Sequence, residues 1–271
     1  MDEKSAREKK ERLTINLKNC GSLLVAFSGG VDSSFLLEVA HEALGDRVLA
    51  VTATSSIQPI GERDLAEQFT RERRIQHIVF PSGVTALEGF TANREDRCYY
   101  CKRYLFENFF IIAKEKDLRH VAHAANVDDL KDFRPGFRAA TELGVLAPLV
   151  DVHLGKEEIR FLSKQMGLST WDKPSMACLA SRIPYGIPIE EEILRMVQEA
   201  ESFLLDRGFR QVRVRHHGAV AKVEVEESSL KRLLDHHLRK ELVVHLRRVG
   251  FEHVALDLEG FISGKMNRSL K

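Results

Sequence analysis

The sequence has almost no net charge and no long apolar run. Its 41 lysines and arginines stand against 40 aspartates and glutamates, a formal net charge of +1 over 271 residues. A whole-chain attraction to nucleic acid is therefore not indicated, which leaves only a local basic patch as a route to it. No stretch approaches the roughly 20 apolar residues that span a bilayer, so no membrane segment is expected. The opening MDEKSAREKKERL is charged and lacks the apolar centre of a secretory signal. Internal repeats and low-complexity tracts are missing too. Cysteine is scarce. The four present, in a chain of this length, read as catalytic or metal-binding rather than as a disulfide framework. A cytoplasmic protein of one or two domains is expected.

What is there is an alternation. LLVAF (Leu23 to Phe27), RVLAVTAT (Arg47 to Thr54), IQHIVF (Ile75 to Phe80) and HVAHAA (His120 to Ala125) are short and apolar on both faces, the pattern of strands buried on both sides in a parallel sheet. Helical patterns lie between them, such as SSFLLEVAHEALG with its Gly45 stop. Strands alternating with helices predict an α/β fold with a doubly wound parallel sheet, whose ligands sit at the carboxyl ends of the strands. The texture changes in WDKPSMACLASRIPYGIP, from Trp171 to Pro188, which reads as a connection. Beyond it a helix, two alternating strands, one or two further helices and a last strand predict a small α+β domain. The expected division is 1–172 and 173–271.

VAFSGGVDSSFLLEV places Ser28, Gly29, Gly30, Val31, Asp32, Ser33 and Ser34 between the first strand and its helix. Two glycines let the backbone approach an anion, and amides at a helix start point at it with about half a positive charge behind them. The serines add hydroxyl donors, and Asp32 is placed to hold a Mg²⁺ that neutralises phosphates. Neither a Walker A loop nor a G-x-G-x-x-G is present. The stretch resembles the PP-loop of N-type ATP pyrophosphatases, and the likeness runs from Leu23 to about Leu168. It implies ATP binding and adenylation: an oxygen nucleophile attacks the α-phosphate and pyrophosphate leaves.

Cys98 and Cys101, in REDRCYYCKRY, fall between a strand and the helix KRYLFENFFIIAKE, at the expected ligand edge. Cys178 lies in the connection between domains. A C-x-x-C alone fits a redox pair, half a zinc site or packing. Cys20 precedes the first strand, up to about 26 Å from the phosphate loop at the extended rise per residue, and reads as a buried, inert thiol. Three cysteines remain, enough to hold a [4Fe-4S] cluster with one iron open to a labile sulfide. Zinc completed by a histidine is the competing reading.

NREDRCYYCK, AANVDDLKDFRPG, WDKPSMACLASRIPYG, VRVRHHG and LDLEGFISGKMN together resemble the LarE family, from about Leu13 to Asn267. The resemblance implies an ATP-dependent sulfur transferase of nickel-pincer nucleotide biosynthesis. Its substrate would be pyridinium-3,5-biscarboxylate mononucleotide, each carboxylate being adenylated and then converted to a thiocarboxylate. With Cys98, Cys101 and Cys178 the chain matches the three-cysteine kind, in which a cluster donates sulfide. Members with only the cysteine matching Cys178 sacrifice that side chain instead. The resemblance further implies that Arg213 and Arg215 bind the substrate phosphate, and that Glu201 and Glu224 bind a metal near it. Ser181 and Arg182 are expected to line the same pocket. Asn126, Asp129 and Arg134, with Asp132 beside them, are expected to position the nucleotide or Mg²⁺. Tyr99 and Tyr100 would shield the cluster, and the His216–His217 and His236–His237 pairs would lie at the surface. Family members assemble as homo-oligomers. A PP-loop tRNA thiolase with a [4Fe-4S] cluster, or a non-enzymatic AMP/ATP sensor, are the alternatives.

Overall fold

The computed structural model describes residues 1–131 and 133–270. In chain order the elements are α1 (Glu3–Cys20), β1 (Leu23–Ala26), α2 (Val31–Leu44), β2 (Val48–Thr54), α3 (Glu62–Glu72), β3 (Gln76–Pro81), α4 (Glu88–Thr91), α5 (Arg97–Glu115) and β4 (His120–Ala122). There follow α6 (Gly136–Glu142), α7 (Pro148–Asp151), α8 (Lys156–Gln165), α9 (Glu191–Leu205), β5 (Val212–His217), β6 (Val220–Val225), α10 (Leu230–Leu233), α11 (His236–Val249) and β7 (His253–Leu256). They fall into two compact units. The first comprises Met1–Ser55, Gly61–Leu87 and Asp96–Lys173, and the second Ser56–Ile60, Glu88–Glu95 and Pro174–Lys271. Two short segments that the sequence reading leaves in the first domain thus belong with the second. No helix among the described residues is long and apolar enough to cross a membrane.

The first unit is α/β, a doubly wound four-stranded parallel sheet in the order β3-β2-β1-β4. The period of a strand explains its layers: successive side chains point to opposite faces. Leu23 and Val25 of β1, with Val48 and Ala50 of β2, pack into a core with Leu13 and Leu17 of α1, Phe35 of α2 and Leu162 of α8. Leu24, Leu49 and Val51 face the other way, onto Phe106, Phe109 and Ala113 of α5. Each fully buried side chain of this kind contributes about 1.5–3 kcal/mol. The chain runs β1 to β2 to β3 on one side and then crosses to β4 on the other. The strand order therefore reverses between β1 and β4, which is where such sheets open a ligand crevice.

Three details depart from the expectations. Helix α1 had no counterpart in the sequence reading, because its apolar stripe is only Ala6, Leu13 and Leu17 among charged neighbours. The fourth strand stops at Ala122, and the backbone from His123 onward turns to bond Leu146 and Leu154 instead. Helix α5 starts at Arg97, so Cys98 and Cys101 lie inside its first turns rather than ahead of it.

In the second unit β5 and β6 form an antiparallel pair and β7 joins β6 in parallel. A parallel neighbour needs a crossover, and α10 and α11 supply it. Val212, Val214, Ala221, Val223 and Val225 pack with Ala200 and Leu204 of α9 and Leu242 and Leu246 of α11. After β7, Asp257 accepts from Lys265 at 2.6 Å and Lys222 at 3.0 Å. Burial alone would raise the Asp257 pKa. The hydrogen bonds from Lys265, Lys222 and the Glu259 amide outweigh it and hold the carboxyl at about 2. A folded pKa below the ordinary carboxylate value contributes stability that is present above about pH 4 and lost as the pH falls toward 2. Asp257→Asn is expected to cost about 1 kcal/mol at neutral pH and to flatten this acid limb of the stability profile. Urea titrations across pH 2–5 test it; an unchanged slope in the variant would discard the assignment.

Candidate functional site

The phosphate loop follows β1 directly. Gly29 takes the left-handed conformation, φ +68°, and a Cβ there would lie 3.4 Å from the Ala66 Cβ of α3. Gly30 is the extended residue on which α2 starts, with no side chain capping it. The first amides of that helix are thus left to another acceptor. The Ser28 and Ser33 hydroxyls lie 3.0 Å apart, and the Ser33 hydroxyl donates to the Gly30 carbonyl. Ser34 is fully buried, and its hydroxyl finds no hydrogen-bond partner among the described residues. Val31 anchors the turn in the core.

Asp32 lies in the first turn of α2. Its Oδ2 accepts from the Lys156 ammonium at 2.6 Å, while its Oδ1 is buried and has no partner among the described residues. Burial raises its pKa, and the Lys156 charge and hydrogen bond only partly oppose that. An orphaned, desolvated carboxylate oxygen beside an anion-binding loop fits a Mg²⁺ carried in with ATP. The loop after β4 closes the other side. The Asn126 side-chain carbonyl accepts from the Asp128 amide, Asp129 accepts from the Asn126 amide, and Arg134 pairs with Asp129 at 2.8 Å. Asp128 in turn accepts from the Lys156 amide. Asp132 lies outside the described residues.

Lys156 and Lys173 escaped the sequence reading. Lys173 donates to the Gly29 carbonyl and to Glu62, both at 3.0 Å, which fixes the peptide plane of the loop. A cation at the first position of a helix, where the dipole disfavours it, is the signal that GKEE carried for Lys156.

Cys98 and Cys101 are three residues apart on α5 and so share one face. Both are half-buried thiols, as are Cys178 and Cys20. The Cys20 thiol donates to the Asn16 carbonyl; burial, with Asp151 nearby, raises its pKa. It is half-buried rather than buried. Tyr99 meets the Tyr100 ring edge to face. Its hydroxyl donates to Glu142 at 2.6 Å, Arg138 stacks on its ring, and it thereby fastens α5 to α6. No three His, Cys, Asp or Glu side chains converge, among the described residues, as a metal ion would need.

In the second unit, Cys178 opens a short helical turn, Leu179–Arg182. Arg182 is wholly buried. It donates to the carbonyls of Ala177 and Cys178, to the Ser181 hydroxyl and, through two bonds of 2.8 Å, to Glu201. The expectation gave Arg182 to the substrate, but its donors are engaged in holding the Cys178 turn. Arg215 makes the matching pair with Glu224, at 2.6 and 2.8 Å, and donates to the Ser181 carbonyl. Glu201 also accepts from the Val214 amide, and Lys222 lies 3.3 Å from Glu224. Both carboxylates, expected as metal ligands, are here paired with buried arginines. Arg213 is different. It is buried, it donates only to the Val212 and Ser175 carbonyls, and no carboxylate partners it among the described residues. Burial and the nearby Arg182 push its pKa down to about 10. His216 is buried, unlike His217, His236 and His237.

No known family profile matches the chain. Individual relatives do. An uncharacterised protein of Synechocystis sp. is 39% identical over 91% of this chain and 92% of its own length. One component of the glutamine-hydrolysing GMP synthase of Thermoplasma acidophilum is 27% identical over 58% of this chain and 54% of its own. The pyridinium-3,5-bisthiocarboxylic acid mononucleotide synthase of Lactiplantibacillus plantarum is 33% identical over 97% of this chain and 95% of its own length. With that likeness spanning nearly every residue, and a PP-loop at the head of its sheet, the chain belongs to the LarE family of ATP-using enzymes.

Proposed function

We propose that the chain is an ATP-dependent sulfur transferase acting on pyridinium-3,5-biscarboxylate mononucleotide. The observation that carries this is the phosphate loop beside an orphaned Asp32 oxygen at the reversal point of the sheet, in a member of this family. A substrate carboxylate oxygen would attack the α-phosphate of ATP, forming a P–O bond as the bond to pyrophosphate breaks. The Gly30 turn and the first amides of α2 would hold the departing phosphates, and Lys156 would add a positive charge beside them. Asp32 would hold Mg²⁺, which supplies further charge neutralisation. A sulfur nucleophile would then attack the acyl carbon, and AMP would leave with the C–O electron pair. A second round would treat the other carboxylate.

Cys98 and Cys101, on one helical face, suit two corners of a [4Fe-4S] cluster, with Cys178 as the third. Such a cluster would supply sulfide as the nucleophile without consuming a side chain. Arg213, which lacks a carboxylate, suits the substrate phosphate, and the Arg215–Glu224 pair would hold the shape of that pocket. Arg182 and Glu201 would fix the Cys178 turn, with Ser181 beside it. Assembly as a homo-oligomer and a cytoplasmic location complete the reading.

Two experiments test it. Asp32→Asn is expected to lower substrate-dependent pyrophosphate release by about 100-fold or more while keeping the fold. The wild-type carboxyl has a raised pKa, so its contribution to stability falls as pH rises past the ordinary carboxylate range; the neutral amide removes that slope. Full pyrophosphate release by this variant would refute the Mg²⁺ assignment. Cys98→Ala, purified without oxygen, is expected to keep AMP formation yet lose iron, acid-labile sulfide and thiocarboxylate product. Thiocarboxylate formed at the wild-type rate would dismiss the cluster as donor.

A further inference from the structure

The segment LDLEGF, from Leu256 to Phe261, has no task in the reading above, yet its geometry is heavily determined. Asp257 is tied by its amide to the Val223 carbonyl and by its carboxylate to Lys222 and Lys265. Gly260 then turns with φ +67°, and a Cβ there would stand 2.7 Å from the Val225 carbonyl oxygen. Only glycine passes so close to a neighbouring strand. The next amide, that of Phe261, donates to the same carbonyl at 2.8 Å. This turn delivers the half-buried Phe261 ring to a point 5.0 Å from the Arg213 guanidinium carbon.

That guanidinium is the odd one of three. Arg182 and Arg215 are each held in plane by two bonds to a glutamate, Glu201 and Glu224. Among the described residues Arg213 has only two carbonyls, from Val212 and Ser175. A buried cation without a counter-ion costs free energy unless something offsets it, and an aromatic face does so without using up any N–H donor. A carboxylate in the same place would fix Arg213 equally well, but would cancel the charge an anion needs. Phenylalanine orients the group and leaves its charge and its remaining donors free.

We propose that Phe261 is a positioning residue for Arg213: its ring holds the guanidinium with its unused N–H groups presented to a phosphate monoester. This deepens the proposed function, because it rests on Arg213 taking the phosphate of the mononucleotide. The aromatic clamp is the means by which one of three clustered arginines keeps its charge for a ligand.

The test uses the full chain and two probes, inorganic phosphate by calorimetry and the pyridinium mononucleotide by steady-state kinetics. Phe261→Leu is expected to weaken phosphate binding and to raise KM for the mononucleotide by about five- to thirtyfold, with kcat and the KM for ATP unchanged. Phe261→Tyr, which keeps the ring, is expected to restore both. In an Arg213→Met background the Phe261→Leu change should have no further effect on phosphate binding. Equal phosphate affinity in wild type and Phe261→Leu would overturn the inference, as would a wild type that binds no phosphate. If Phe261→Leu melts early, the Tyr variant together with Phe261→Met carries the comparison. A chain that shows the phosphate effect but never turns over the mononucleotide would refute the substrate and leave the clamp standing. Turnover with no phosphate effect would do the reverse.

Discussion

The rest of the first unit depends on a strand that has nowhere to go. Leu23, Leu24 and Val25 are completely buried, alternating between two helix layers, so a slip of one residue would exchange every contact on both faces. The backbone leaving that strand therefore emerges in a fixed direction, and Ser28 to Ser34 inherit it. A loop that receives a polyphosphate has to be set before the ligand arrives, because most of its donors are backbone amides that cannot be re-aimed cheaply. Lys173, gripping the Gly29 carbonyl, extends the same constraint to the peptide plane of the loop.

The second unit solves a different problem, that of keeping charge inside. Three buried arginines and two buried glutamates lie within reach of β5 and β6. Removing one partner of a buried pair typically costs several kcal/mol, although the pair itself adds little net stability. What such pairs give is a single arrangement, and here that arrangement serves the Cys178 turn on one side and Arg213 on the other. The carboxylates resemble metal ligands when seen as letters. In the fold they also serve as counter-ions to buried arginines.

Much of this was legible beforehand, and what was not has physical reasons. The parallel strands read clearly from their short apolar runs, although β1 and β2 are largely buried while the edge strand β3 has no fully buried residue, and SGGVDSS could be placed because its glycines and serines follow one of them. Helix α1 could not be read, since three apolar residues among charges leave almost no stripe. Lys156 and Lys173 act on partners 124 and 144 residues away in sequence, and no local pattern reports such distances. The pairing of Glu201 with Arg182 and of Glu224 with Arg215 was hidden for the same reason: charge alone does not tell a ligand from a brace. Helix α5 began earlier than expected because nothing in EDRCYYCK except a single Asp96 marks its start.

Arg182 grips the main-chain oxygens of Ala177 and Cys178, not the sulfur. The scaffold of that turn is thus indifferent to the fate of the thiol. Coordination, oxidation or outright loss of the atom would leave the peptide path as it was. A turn built this way does not stake its architecture on the sulfur it carries.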